Sequence, residues 1–267
     1  MNIEVSTLII SFILLIGLNV PIAVSIGIST VLTLMIGAGF SPAMSTVAQQ
    51  IATGFDSFTL IAIPLFILSG NIMAKGGLAK RLINFAKTIV GGLPGGLALV
   101  NIVSAMLFGA ISGSAIASAA AIGSFMHPRM VKEGYDAGYS AAVNVTASTT
   151  GLIIPPSNVL IVYSLASGGV SIGALFVAGY LPGILLGMGF MVVSSILAYQ
   201  QGIKGSDSVS FIEILKRFYD AILSLTMIFI IIGGIIFGVF TATEAAAVAV
   251  VYALIITMLI YKEIRIK

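Results

Sequence analysis

Cysteine is absent from this sequence and histidine occurs once. Disulfides, thiol redox chemistry and thiolate metal centres are therefore excluded, and a single imidazole without a thiol does not make a transition-metal site. Charge is scarce as well. Only 8% of the residues are Asp, Glu, Lys or Arg, against about 25% in soluble domains, so water is not the main solvent of this chain. The net charge of +3 is too small to mark a nucleic-acid-binding surface.

What is present is apolar: 59% of the residues are hydrophobic and the mean hydropathy is +1.19. The apolar runs are Leu8–Ile36, Leu60–Met73, Leu97–Met126, Ile153–Leu165, Leu175–Tyr199, Ala221–Phe240 and Ala245–Tyr261. A transmembrane helix takes about 20 such residues, whereas strands of a membrane barrel alternate polar and apolar. These runs do not alternate. The expected fold is an all-α membrane protein, a multi-spanning helical bundle. The first run lacks a basic leader and a small-residue cleavage site, so it is expected to be retained as a helix.

The basic residues group at Lys75–Lys87, Arg129 with Lys132, Lys204, Lys216 with Arg217, and Lys262–Lys267. Basic residues in short loops mark the cytoplasmic side, so the chain should leave and return between groups. Tyr139–Leu165 and Ile172–Tyr199 then form one outward-and-back pair through the uncharged turn Ala166–Val170. Ala221–Phe240 and Ala245–Tyr261 form another through Thr241–Glu244, and Asp56 lies outside. Between Lys87 and Arg129, two full spans and a re-entrant hairpin with its tip near Ser112–Ser114 both fit. Val5–Ile36 is too long for one span, and Asn19-Val20-Pro21 is a turn signal that divides it into two, with the N-terminus outside. Ser41–Phe55 and Gly77–Val90 read as flat, interfacial segments. For the second, Lys80, Arg81 and Lys87 oppose Leu78, Leu82, Ile83, Phe85, Ala86 and Ile89, although packing on a neighbouring helix suits the same pattern.

Polar groups fall within apolar surroundings at three places. Ser112-Gly113-Ser114 can open a helix and offer hydroxyls, carbonyls and a helix N-terminus; Ser114 as a plain N-cap and close packing of small residues are the alternatives. Asn144–Ser157 contains Gly151 and Pro155-Pro156, which must interrupt a helix. Broken backbone at membrane depth is tolerated where it lines a cavity or is buried in protein, and in transporters such carbonyls hold cations; a simple kink is the alternative. Thr241-Ala242-Thr243-Glu244 has the form of a capping box, so Glu244 is not expected to carry protons. His127, at the end of an apolar stretch, reads as interfacial.

Taken in order, Gly17–Ala23 (GLNVPIA), Ile63–Gly70 (IPLFILSG), Ile111–Gly123 (ISGSAIASAAAIG), Gly134–Ala142, Gly151–Ser157 (GLIIPPS), Val170–Phe176 (VSIGALF), Leu181–Gly187 and Gly238–Tyr252 (GVFTATEAAAVAVVY) resemble the large membrane subunit, DctM/SiaM type, of the tripartite ATP-independent periplasmic (TRAP) transporters. The resemblance covers essentially the whole chain. It implies a sodium-driven secondary transporter of the bacterial inner membrane that imports organic anions, such as C4-dicarboxylates or sialic acid, by an elevator-type motion. It implies a small membrane subunit (DctQ type) and a periplasmic substrate-binding protein (DctP type) as partners, with no cofactor beyond sodium as the coupling ion. By position it assigns Ser112, Gly113, Ser114, Gly151, Ile154 and Pro155 to sodium, and puts Ser148, Thr149 and Ser157 near the substrate. Two departures stand out: Ser118 replaces the family's usual Asp, and Ala242 its usual Pro. Loss of the Asp either removes a charge contact or is neutral if the side chain faces water.

The expected organisation is N-terminal spans with an interfacial helix over 1–56, a span plus an amphipathic arm helix over 57–92, a transport element of hairpin and broken helix over 93–171, and further spans over 172–267. The family's second half, with its own hairpin and broken span, is missing from this sequence. The chain then represents a fragment, half of a split permease, or a truncated relic without transport activity. Catalysis is not expected. An intramembrane hydrolase built on Ser112 or Ser114 would depend on His127, and no intramembrane acid is placed to orient it. A channel would show uncoupled currents.

Overall fold

The computed structural model describes residues 3–200, 202, 203, 205 and 210–264, and every regular element among them is helical. Lys204, Arg265 and Lys267, which contribute to the basic groups above, lie outside the described residues. Two units can be distinguished, Met1–Ser57 and Phe58–Lys267.

In the first unit, α1 (Ile3–Gly17) and α2 (Ile22–Ala38) are separated where the turn signal stands. Asn19 adopts a left-handed φ of +61°, a conformation Asn tolerates better than most residues, and Pro21 directly precedes α2. The two helices run antiparallel: a Cβ at Gly37, near the end of α2, would meet the Glu4 carboxylate from the start of α1 at 2.6 Å. α3 (Phe40–Phe55) follows, with Ala43 its one buried residue. Most apolar side chains of this unit face outward, among them Ile10, Ile13, Leu14 and Ile26.

The second unit starts with a 3-10 turn, Phe58–Ile61, leading into α4 (Ala62–Lys75). Then come α5 (Leu78–Val90), α6 (Gly96–Ser112), α7 (Ala115–Lys132), α8 (Ala137–Ser148), a 3-10 turn at Thr149–Leu152, and α9 (Asn158–Ala166). α10 (Ile172–Gln200), α11 (Phe211–Ile236) and α12 (Ala242–Leu254) complete it, α12 continuing into a π-wound stretch at Ile255–Ile260. Four segments among the described residues are long and apolar enough to cross a membrane: Phe58–Lys75, Ile172–Gln200, Phe211–Ile236 and Ala242–Ile260.

Charge sorts this unit into two ends. At one, Lys87, Arg129 and Arg217 line a common cavity, and Arg81 pairs with Glu263 at 2.9 Å while lying 3.5 Å over the Tyr261 ring. At the other, the uncharged turn at Val170–Gly173 gathers with Phe58, Thr59 and Thr241–Thr243; Thr243 Oγ1 donates to the Phe58 carbonyl at 3.0 Å. This is the alternation that the basic groups predict.

The arm helix α5 sits at the basic end and packs on α6 and α11. Its buried face is Leu78, Ala79, Leu82, Ile83, Ala86 and Val90. That differs from the expected face: Ile89 is exposed, and Phe85 is half-buried, tilted against Phe218 at 5.7 Å. The helix thus uses its apolar stripe on neighbours in the chain, the alternative its pattern allowed.

α12 packs closely on α4. Ala245, Ala246, Ala249 and Ala253 are fully buried, and such small side chains let two backbones approach where no hydrophobic effect drives them together. The start of α12 is the expected capping box. Thr241 N donates to Glu244 Oε2 at 2.8 Å and Glu244 N to Thr241 Oγ1 at 3.3 Å. Ala242 occupies the first helical position, where a proline is also well accommodated.

Candidate functional site

α6 and α7 form a hairpin that begins and ends at the basic end, since Leu97 and Arg129 line the same small cavity there. Its tip is made by Gly113, left-handed at φ +61°, and by Ser114, extended, whose Oγ accepts from Ala117 N at 3.3 Å. Ser114 is therefore an N-cap, and Gly113 supplies the reversal that only glycine adopts without strain.

α8 starts from the same basic end, N-capped by Asp136, which accepts from Tyr139 N at 2.8 Å. Its α-helix ends at Ser148, winds through the 3-10 turn, and is lost until Asn158. Pro155 and Pro156 cannot donate to a helix, and the bond between them is cis. Ser157 then restarts the helix as N-cap of α9, its Oγ accepting from Leu160 N at 3.3 Å and donating to the Leu152 carbonyl.

The hairpin tip lies against this break. Asn158 N donates to the Gly113 carbonyl at 3.2 Å. A Cβ at Gly113 would come within 2.8 Å of the Pro156 carbonyl, and one at Gly109 within 2.5 Å of Gly151 Cα. Two backbones thus meet with no side chain between them. Because the tip reaches only the interruption of the α8–α9 passage, and both arms return to one end, the hairpin is re-entrant and the alternative of two full spans falls away.

Of the residues expected at a cation, Ser114 turns its carbonyl toward Gly151 and Gly113 meets Pro156 and Asn158, whereas Ser112 lies against Gly70 of α4, its Oγ donating to the Ser114 carbonyl at 3.4 Å. Ile154 turns its side chain to α10, where a Cβ at Gly183 would strike Ile154 Cγ1 at 2.4 Å, so only its backbone is free to face a ligand. The carbonyls of Ile154, Pro155 and Pro156 accept no hydrogen bond among the described residues. Asn158 Oδ1 is buried without a partner, and Pro156, Asn158 and Gly109 are members of this junction that sequence reasoning passed over. The signal was there: an amide directly after the double proline, and a glycine one helical turn before Gly113. Such a set of uncommitted oxygens, with no titratable group among the residues that form it, suits a hard monovalent cation.

The residues expected near substrate are arranged differently. Ser148 is buried and donates to the Asn144 carbonyl in its own helix at 2.7 Å. Ser157 is buried in its cap, and Thr149, half-exposed, donates to the Thr146 carbonyl at 2.7 Å. Ser118 is fully buried and donates to the Ala105 carbonyl across the hairpin at 3.1 Å. It faces the other arm of the hairpin and not water, so a carboxylate at this position would lose its hydration. Asn144 ties α8 to α7, its Nδ2 donating to the Ala119 carbonyl at 2.9 Å. His127 is not simply interfacial: its Nδ1 lies 3.0 Å from Ser140 Oγ. Ser140 is fully buried, and the nearby Asp136 is committed to its cap.

The model of the DctM component of the tripartite ATP-independent periplasmic transporters matches residues 9–267. The chain is 51% identical, over 96% of its length and 59% of the relative's, to the uncharacterized protein YgiK of Salmonella typhimurium. It is 43% identical, over 94% of its length and 56% of the relative's, to the C4-dicarboxylate TRAP transporter large permease protein DctM of Vibrio cholerae. The sialic acid TRAP transporter large permease protein SiaM of the same organism is 38% identical over 85% of this chain and 53% of the relative. The chain thus spans between about half and three fifths of the length of these relatives.

Proposed function

Because the chain belongs to the DctM family of tripartite ATP-independent periplasmic transporter components, we propose that its hairpin and broken helix form a sodium-binding transport element of a large permease in the bacterial inner membrane. The cargo is an organic anion of the C4-dicarboxylate or sialic acid class, the substrates named for two of the relatives. The working assembly pairs this permease with a small DctQ-type membrane subunit and a DctP-type periplasmic protein that delivers the anion. Residues 93–171 act as the moving element and the remaining spans as its support.

The observation that carries this reading is the hairpin tip set against the break between α8 and α9. In this reading Gly113 and Ser114 of the tip and Gly151, Ile154 and Pro155 of the break would supply backbone oxygens, Ser112 a hydroxyl, and Asn158 its unpartnered Oδ1; the Gly113 and Ser114 carbonyls already accept from Asn158 N and Ser118 N. A cation held there would join the two elements, because its ligands come from both. Ser148, Thr149 and Ser157 border the same break, where an anion would bind beside the cation. In the present arrangement they are turned to backbone carbonyls, so substrate engagement would require them to exchange those bonds.

Sodium dependence of folding tests the site on the chain itself. Ligand binding to the native state raises stability as the ligand concentration passes its dissociation constant. Thermal unfolding of the purified protein in sodium chloride is expected to occur above that in potassium chloride at equal ionic strength. Ser114→Ala and Asn158→Ala should shrink the difference while leaving membrane insertion intact. Identical curves in both salts for the unaltered protein would remove the cation site.

A further inference from the structure

Away from the hairpin tip, the basic end of the second unit holds a cavity of roughly 500 Å³ between the arm helix α5, the end of α7 and the start of α11. Three cations line it, Lys87, Arg129 and Arg217, with Asn84, Thr88 and Ser210 adding polar groups. Among the described residues, Glu213 is the one acid in the lining. Lys87 has no carboxylate partner within 4 Å among the described residues. Arg129 has only a loose contact with Glu133 at 4.0 Å, and Arg217 reaches Glu213 at 3.1 Å and Asp220 at 3.8 Å. All these pairs are at least a third exposed at each side chain, and ion pairs of that kind contribute little. A guanidinium also has five N–H donors, so both arginines keep donors for a further acceptor.

Two features around the cavity fix the chemistry of what fits. Ser210, in the lining, is the N-cap of the 26-residue helix α11 and makes no side-chain cap. The amides of Phe211 and Ile212 accordingly have no acceptor among the described residues, and they add to a positive site for an anion with several oxygens. The side chains of the same two residues are 76% and 78% exposed. Leu215, one turn on, is exposed too, and the helix they open is apolar enough to cross a membrane. Beyond Arg217 and Asp220 the helix carries no charge from Ala221 to Ile236, so a phosphate held at Arg217 would stand at the head of its apolar stretch.

We propose that this cavity binds a phosphate group presented by an anionic phospholipid, with Lys87, Arg129 and Arg217 on the headgroup and the acyl chains along the uncharged part of α11 that starts at Ala221. Basic pockets between helices at the cytoplasmic face are the usual sites of such headgroups. The lipid would bridge the arm helix to the hairpin's return arm and to α11. Lys87 is the informative residue, because removing it strands no acid.

Native mass spectrometry on the delipidated chain, titrated separately with dioleoyl phosphatidylglycerol, dioleoyl phosphatidylcholine and inorganic phosphate, tests this. Phosphatidylglycerol is expected to bind more tightly than phosphatidylcholine. Lys87→Gln should weaken that binding about fivefold, Lys87→Arg should retain it, and Lys75→Gln, which removes a charge outside the cavity, should leave it unchanged. Lys87-dependent retention of inorganic phosphate at the same occupancy as phosphatidylglycerol would keep the phosphate site and overturn the lipid as its source. Equal binding of the two lipids, or the same phosphatidylglycerol affinity in Lys87→Gln as in the unaltered chain, would overturn the proposal.

Discussion

At the scale of single residues, the contact between Gly109 and Gly151 sets how close the hairpin tip comes to the broken helix. A Cβ at Gly109 has no flexible side chain to displace; it meets backbone. Gly109→Ala is therefore expected to push the tip away and destabilise the protein by about 1–3 kcal/mol, as overpacking does. Gly189→Ala is the matched control. It lies within α10 with nothing inside 4 Å of its added methyl, and alanine is the better helix former by roughly 1 kcal/mol. Denaturant titration of both variants checks the pair: a loss for the first and none for the second. Glycine at position 151 was legible in the sequence as a helix breaker. Its partner at 109 was not, because a glycine inside an apolar run has the same local pattern whether it faces lipid or another backbone. Asn158 was hidden for a related reason. Its importance lies in an oxygen left without a partner, and partners are a property of the fold.

At the scale of elements, the sequence was most readable at ends and interruptions. Pro21, the Pro155-Pro156 pair and the Thr241–Glu244 box each impose local geometry regardless of what surrounds them, and the helices stop or start there as expected. Faces were less readable. The buried stripe of α5 includes Val90 and excludes Ile89, since the exact rotation of a helix is decided by its neighbours α6 and α11. The cap of α12 gives a direct test of the local rule. Thr241→Ala should cost about 1 kcal/mol, whereas Glu244→Gln should be tolerated, because glutamine can close the same box. Ala242→Pro should be neutral or stabilising by about 0.4–1 kcal/mol, since Thr241 is already extended at φ −70°, ψ 165°, the conformation that a following proline requires. A large loss in Ala242→Pro, read by thermal unfolding, would mean that the first turn of α12 is held by something other than its cap.

At the scale of the whole second unit, the sorting of charge predicts which end faces the cytoplasm. The natural absence of cysteine allows this to be measured without prior substitution. Val170→Cys, in the uncharged turn, should react with a membrane-impermeant maleimide added to intact cells, and Lys80→Cys should react only after the membrane is opened. The reverse pattern would invert the topology. Re-entrance of α6 and α7 was undecided in the sequence because 17 and 18 residues suit a short span as well as a hairpin arm. The contact of Gly113 with Asn158 decides it, and that contact joins residues too distant along the chain for periodicity to reveal.

The same sorting has an electrical consequence. From Thr88 to Pro128, from Ala137 to Ile203, from Ala221 to Thr243 and from Ala245 to Tyr261 there is no Asp, Glu, Lys or Arg, so the hairpin tip and the broken helix carry no fixed charge of their own. Moving one elementary charge through the membrane field is worth about 2.3 kcal/mol per 100 mV. If residues 93–171 move as proposed, their only charges are Arg129, Lys132, Glu133 and Asp136 at the basic end, which sum to zero, and the voltage dependence of the movement would count the ions held at the tip.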